Sequence, residues 1–163
     1  MKNLVLVCLL GLLSSFSTVL TISEVRTLFK SAAFEEHACT KLIYSLKNQA
    51  SQQTVFTAYK ASGLMMNAKY VLNPLDKLST FSKGKNLMEQ TVTKDPTNLE
   101  IRFLRLAMQA NTPSFLGYAD AIPRDKKFVL QSLKSETDTE LKNMIVAYLQ
   151  KSDVLTQTEK KQL

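Results

Sequence analysis

The chain has 163 residues, 45% hydrophobic and 21% charged, which supplies one packed domain and excludes a globally disordered chain. Only 4 Gly and 4 Pro are present, little turn material for a sheet-rich fold, so an all-helical domain is expected. The 21 basic and 14 acidic side chains give a formal charge of +7, but acids accompany bases in most segments, the pattern of a solvated surface and not of a nucleic-acid-binding stripe.

Met1-Lys2-Asn3 precedes a nearly unbroken apolar run, Leu4 to Leu13, and then Ser14-Ser-Phe-Ser-Thr18. A short positive start, an apolar middle and small residues at the end fit a signal peptide over residues 1–20. Cleavage is expected after Ser17 or nearer Thr21, leaving a single helical domain over 22–163, exported to the periplasm or secreted. The alternative is an uncleaved anchor, because Val19, Leu20 and Ile22 prolong the apolar character to the lower limit of a spanning length. Cys8 follows Val7 instead of a small residue and leaves with the leader. Cys39 is then the only cysteine of the domain, so no intramolecular disulfide forms and helix packing alone must hold the fold.

Ser23-Glu24 opens a first helix, Val25 to Phe34, with Val25, Leu28, Phe29 and Ala32 on one face. Phe34 to Cys39 leads into a second, Thr40 to Lys47, whose buried face is Ala38, Leu42 (with Cys39 and Ile43 beside it) and Leu46, and the polar stretch Asn48 to Gln53 connects it onward. A third helix runs from Thr54 to Tyr70. Asn73-Pro74-Leu75-Asp76 restarts the chain with a cap, a proline at the first helical position and an acid against the helix dipole. The fourth helix is expected to turn Leu75, Leu78, Phe81, Met88 and Val92 inward. Gly84 in its middle costs about 1 kcal/mol relative to Ala, so it implies close approach of a neighbour, the third helix.

Asp95-Pro96 stops the fourth helix, and Thr97-Asn-Leu-Glu100 reads as a capping box for the fifth. That helix is apolar over about two-thirds of its circumference at roughly 100° per residue, with Arg102, Arg105 and Gln109 as a narrow polar stripe. It belongs in the middle of the domain. Asn111-Thr112-Pro113 ends it, and Ser114 to Tyr118 makes an apolar turn tucked against the bundle. Ile122-Pro123 opens a sixth helix with Phe128, Val129 and Leu133 inward. Thr137-Asp-Thr-Glu140 is a second capping box, before the stripe Leu141, Met144, Ile145, Tyr148, Leu149. Thr156-Gln-Thr-Glu159 is a third, opening a short last turn.

Tyr59-x-x-Ser62-Gly63-x-x-Met66 resembles the first-helix signature of a tetratricopeptide repeat. Gly84-x-x-x-Met88-x-x-Thr91-x-x-x-x-Pro96 is similar to its second-helix pattern, and Asp95-Pro-Thr-Asn98 looks like a junction between repeats. Most of the chain after the leader also resembles a family of small exported helical proteins from Bacteroidetes-type bacteria. That resemblance is carried by Ala58-Tyr59-Lys60-Ala61, Asn73-Pro74, Phe81-Ser-Lys-Gly84, Asp95-Pro96, Glu100-Ile-Arg-Phe-Leu-Arg105, Pro113-Ser-Phe-Leu-Gly-Tyr118 and Asp125-Lys126. It implies fold and export and assigns no activity.

His37 is the only histidine. On a helix it points about 200° away from Cys39, so the two do not pair, and no further Cys or His remains to complete a zinc site. The metalloprotease, nucleophile-elbow and phosphate-loop motifs are absent, and the acids at Glu35/Glu36 and Asp138/Glu140 stand where helix starts place acids. No catalytic residue, metal ligand or cofactor is assigned. Arg102, Arg105 and Gln109 are the candidate site residues: two guanidinia on one stripe either hold a carboxylate or phosphate of a ligand or clamp internal acids such as Glu100, Asp95, Asp120 or Asp125. Glu100 falls inside the apolar arc, so capping or an arginine partner is required of it. The expected molecule is all-α, about seven helices in consecutive antiparallel pairs, tetratricopeptide-like, and not an enzyme. Its expected role is a protein or peptide interaction module of the bacterial envelope, without nucleic acid and touching membrane only through an uncleaved leader. The second possibility is a small-anion-binding or envelope-stress protein using the Arg102/Arg105 stripe.

Overall fold

Thr21 starts the first helix, α1 (Ile22–Ala32), through a reciprocal box in which its hydroxyl accepts from the Glu24 N–H and the Glu24 carboxylate accepts from the Thr21 N–H. The computed structural model describes residues 19–47 and 53–163, so most of the expected leader, the expected cleavage after Ser17 and residues 48–52 of the polar connection lie outside the described residues. Then follow α2 (Glu36–Ser45), α3 (Thr54–Asn67), α4 (Pro74–Lys94), α5 (Leu99–Ala110), α6 (Ile122–Ser132), α7 (Thr139–Lys151) and α8 (Gln157–Lys160). Short 3-10 turns cover Ala68–Tyr70, Ser114–Leu116 and Leu133–Ser135. Among the described residues all regular structure is helical, in eight α-helices. None of these helices is long and apolar enough to cross a membrane.

The helices pack as consecutive pairs, α1 with α2, α3 with α4 and α5 with α6, and α3 also lies against α1 and α5. Such stacking is compatible with a helical-repeat arrangement. α5 is central: Leu99 to Ala107 is buried without a break, its charged residues included. The polar stripe therefore faces protein, not solvent.

Several local expectations need correction. α2 begins at Glu36, four residues before the expected Thr40, while Ala38, Cys39 and Leu42 form its buried face as expected. Asn98, not Thr97, caps α5 by accepting from the Ile101 N–H. Asp138, not Thr137, caps α7 by accepting from the Leu141 N–H. In both cases a stronger cap residue sits one position on, and the glutamates of the expected boxes, Glu100 and Glu140, are drawn to Arg26 instead. Leu75 and Leu78 face outward, where an inward stripe was expected. Steps of three residues drift about 60° around a helix, so the series Phe81, Leu78, Leu75 walks off the buried face set by Phe81, Gly84, Met88 and Val92. The turn after α5 does not tuck in as a unit either: Tyr118 is buried, but Phe115 stands exposed.

Gly84 is where α3 and α4 come closest. A β-carbon there would meet the Ala61 carbonyl oxygen at 2.7 Å, Met65 Cγ at 2.7 Å and the Met65 amide nitrogen at 2.8 Å. Two of those atoms are backbone and cannot swing aside. Gly84→Ala, which in a free helix gains about 1 kcal/mol, is therefore expected to destabilise by roughly 1–2 kcal/mol through overpacking. Denaturant unfolding checks the sign, and a stabilised variant would contradict the close approach.

The last expected box does form: the Thr156 hydroxyl accepts from the Glu159 N–H, and Glu159 accepts from the Thr156 N–H and from Lys126 Nζ at 2.9 Å. The Thr156 backbone bond first, then Lys126, hold the Glu159 carboxyl down to about 2. A depressed carboxyl stabilises fully above its unfolded value of about 4.3 and loses that contribution as pH falls through its folded value. The melting temperature of the parent should therefore fall more steeply between about pH 4.5 and 2 than that of Glu159→Gln, with equal slopes counting against the box.

Candidate functional site

Arg102 and Arg105 lie one turn apart on α5 and converge on Asp125, in the first turn of α6, whose side chain is 0% exposed. Arg102 Nε donates to Asp125 Oδ1 at 2.5 Å and its Nη1 to the Pro96 carbonyl at 2.9 Å, while its guanidinium stacks 4.5 Å over the Phe128 ring. Arg105 grips Asp125 through Nε at 2.6 Å and Nη2 at 2.9 Å, and its Nη1 reaches Glu89 of α4 at 2.7 Å. The Tyr118 hydroxyl donates to the other Glu89 oxygen at 2.7 Å. Burial weighs against the Arg105 charge, but Asp125 and Glu89 together raise its pKa above the ordinary value. Burial, reinforced by Glu89, raises the Tyr118 hydroxyl, which stays a donor.

Glu100 belongs to a second clamp at the other side of α5. Arg26 of α1 binds it bidentately, Nε to Oε1 at 2.8 Å and Nη2 to Oε2 at 2.9 Å, and the Tyr59 hydroxyl donates to Oε1 at 2.5 Å. The same guanidinium reaches Asp138 at 2.8 Å and Glu140 at 3.2 Å, at the start of α7. Glu100 hydrogen bonding raises the Arg26 pKa further, against burial. Arg26 in turn holds the Asp138 carboxyl below its usual range, helped by the Leu141 N–H, and burial keeps the Tyr59 phenol protonated far above neutral pH. One arginine thus joins α1, α3, α5 and α7.

Of the expected site residues, Arg102 and Arg105 come together, Glu100 faces away from them, and Gln109 joins neither clamp: it is buried with its Oε1 unpaired. Arg26, Tyr59, Glu89 and Asp138 were not expected as members. Arg26 had a readable signal, since it lies about 60° from Phe29 and so inside the buried arc of α1, as Glu100 does in α5. Chemically the clamps satisfy buried charges across helix boundaries, with bidentate guanidinium–carboxylate pairs at their centres.

His37 is exposed and Cys39 fully buried, the thiol donating to the Gly63 carbonyl at 3.3 Å. Burial pushes that thiol up to about 11, which suits a small core residue and not a nucleophile. Among the described residues no group of three or more His, Cys, Asp or Glu is placed to hold a metal ion. Compared with known proteins, the chain matches no family model, no curated protein and no solved structure.

Proposed function

We propose that this chain is a non-catalytic protein- or peptide-binding module of the bacterial envelope, exported by its leader and built from stacked helix pairs. One observation carries this proposal. The buried charges are spent on each other, while large apolar side chains stand exposed on the turns that close the pairs. Phe34 follows α1, Leu72 and Leu75 lie between and at α3 and α4, and Phe115 follows α5, with exposures of 85%, 96%, 79% and 83%. In consecutive antiparallel pairs these turns fall at one end, and Lys69 Nζ bonding the Ala33 carbonyl ties the first two together. Large apolar side chains exposed together at one end of a domain mark interaction surfaces when they form one patch. The step from stacked pairs to partner binding is an analogy of fold.

Photo-crosslinking amino acids placed at Leu72 and Phe115 in the producing cell should give a discrete adduct, and one at Thr137, at the opposite end, should not. Absence of adducts at the first two positions, or equal adducts at all three, overturns the proposal. Intact mass of the exported protein tests the leader: retention of Met1 to Ser17 contradicts cleavage.

A further inference from the structure

Past the first residue of α2, Glu36, the helical hairpin of α2 and α3 carries no acid. From His37 to Leu75 there are four lysines, Lys41, Lys47, Lys60 and Lys69, and no Asp or Glu. Lys47 and Lys60 line the groove between the two helices, whereas Lys69 bonds the Ala33 carbonyl and Lys41 lies near Glu24.

That groove is shallow. Thr40, Ile43, Tyr44 and Lys47 form one wall at spacings of three and four, Lys60 and Asn67 the other, enclosing about 270 Å³. Seven residues of helix make it about 10 Å long. Its floor is mostly apolar, and Gly63 lets α2 and α3 close in beside it: a β-carbon there would lie 2.9 Å from Ile43 Cγ1. Tyr44 is 77% exposed at the rim, an aromatic ring with no core duty. Among the described residues no carboxylate forms an ion pair with Lys47 or Lys60. Of the acids on neighbouring elements, Glu24 of α1 acts on Lys41 and Glu36 lies near Cys39, at the far end of α2 from Lys47.

We propose that the groove between α2 and α3 binds an acidic peptide segment, its apolar residues on Ile43 and the Tyr44 ring and its carboxylates at Lys47 and Lys60. This rests on the interaction-module proposal and names the chemistry of one partner. Charge complementarity selects an anion, and the concave apolar floor selects among anions. A bilayer is flat and reaches Tyr44 without reaching the floor, and a phosphodiester backbone has no apolar side to place there. An amphipathic acidic segment has both parts.

The probe is a fluorescein-labelled peptide of alternating glutamate pairs and leucine pairs, ten residues long, read by anisotropy at low salt. It should bind the parent, while its glutamine counterpart should not. Lys47→Glu and Lys60→Glu should each weaken binding about tenfold and Tyr44→Ala about fivefold. Lys134→Glu, the same charge change at an exposed position on the turn after α6, should leave it unchanged. Circular-dichroism melts confirm that the variants fold. Absence of binding, equal loss with Lys134→Glu, or preference for phosphatidylglycerol vesicles or a thymidine oligonucleotide over the peptide overturns the assignment. If Lys47→Glu and Lys60→Glu abolish nothing while the Leu72 adduct persists, the groove assignment falls and the interaction module stands.

Discussion

Asp125→Ala should be among the most destabilising single substitutions in this chain. The side chain is fully buried and accepts three hydrogen bonds from two guanidinia. Its removal leaves Arg102 with the Pro96 carbonyl and the Phe128 face, and Arg105 with Glu89 alone. Breaking a buried pair from one side costs about 3–5 kcal/mol, because the stranded charge keeps its desolvation penalty. For a domain of this size that corresponds to a drop of roughly 10–15 °C in melting temperature. Asp125→Asn keeps the shape and one acceptor but not the charge, so its loss should be smaller. Arg102→Ala and Arg105→Ala should each cost less than Asp125→Ala, since either leaves Asp125 one cationic partner, and the pair should be non-additive. A melting temperature within about 3 °C of the parent for Asp125→Ala would show the clamp to be energetically empty, and would return the arginine stripe to consideration as an anion site.

The fold class was legible because it depends on signals local to each helix. Phe29, Phe103, Ile145 and Leu149 recur at helical spacing, Asn73-Pro74 and Asp95-Pro96 punctuate the chain, and Gly84 marked its contact with α3. Boundaries failed where two cap residues stood side by side. Thr97-Asn98 and Thr137-Asp138 each offered a reasonable box, and tertiary pairing of Glu100 and Glu140 with Arg26 decided for the second residue. The clamps were half legible for a similar reason. A charge inside an apolar arc shows that a partner must exist, as for Glu100, but the partner is set by packing across 74 residues of chain. Asp125 was among the acids considered for the arginines, whereas Glu89 has no local mark, and its role follows only from how α4 lies against α5 and Tyr118. The acid-free span from His37 to Leu75 is visible in the sequence, yet it gains meaning only when α2 and α3 are seen to form one groove.

The clamp around Arg26 separates stability from specificity. Arg26→Ala strands Glu100 in the interior with the Tyr59 hydroxyl as its remaining donor, and releases Asp138 and Glu140, which can turn to water. A loss of about 3–4 kcal/mol is expected, most of it from Glu100. The acid limb should change too. Asp138 contributes stability above its unfolded value of about 3.9 and loses it as pH falls through its lower folded value. That part of the acid limb depends on Arg26 and should flatten in Arg26→Ala. Replacing the whole unit, Arg26→Met with Glu100→Leu and Tyr59→Phe, removes every buried polar atom of the triad together. Such a swap is expected to fall within about 1 kcal/mol of the parent, or above it, because the desolvation cost disappears with the charges. Urea unfolding of the single and triple variants decides the matter. If the triple variant recovers, the bidentate pair serves to set α1, α3, α5 and α7 in one register and contributes little net stability. If it remains as unstable as Arg26→Ala, the pair is net favourable, and the four helices depend on it for their cohesion as well as their alignment.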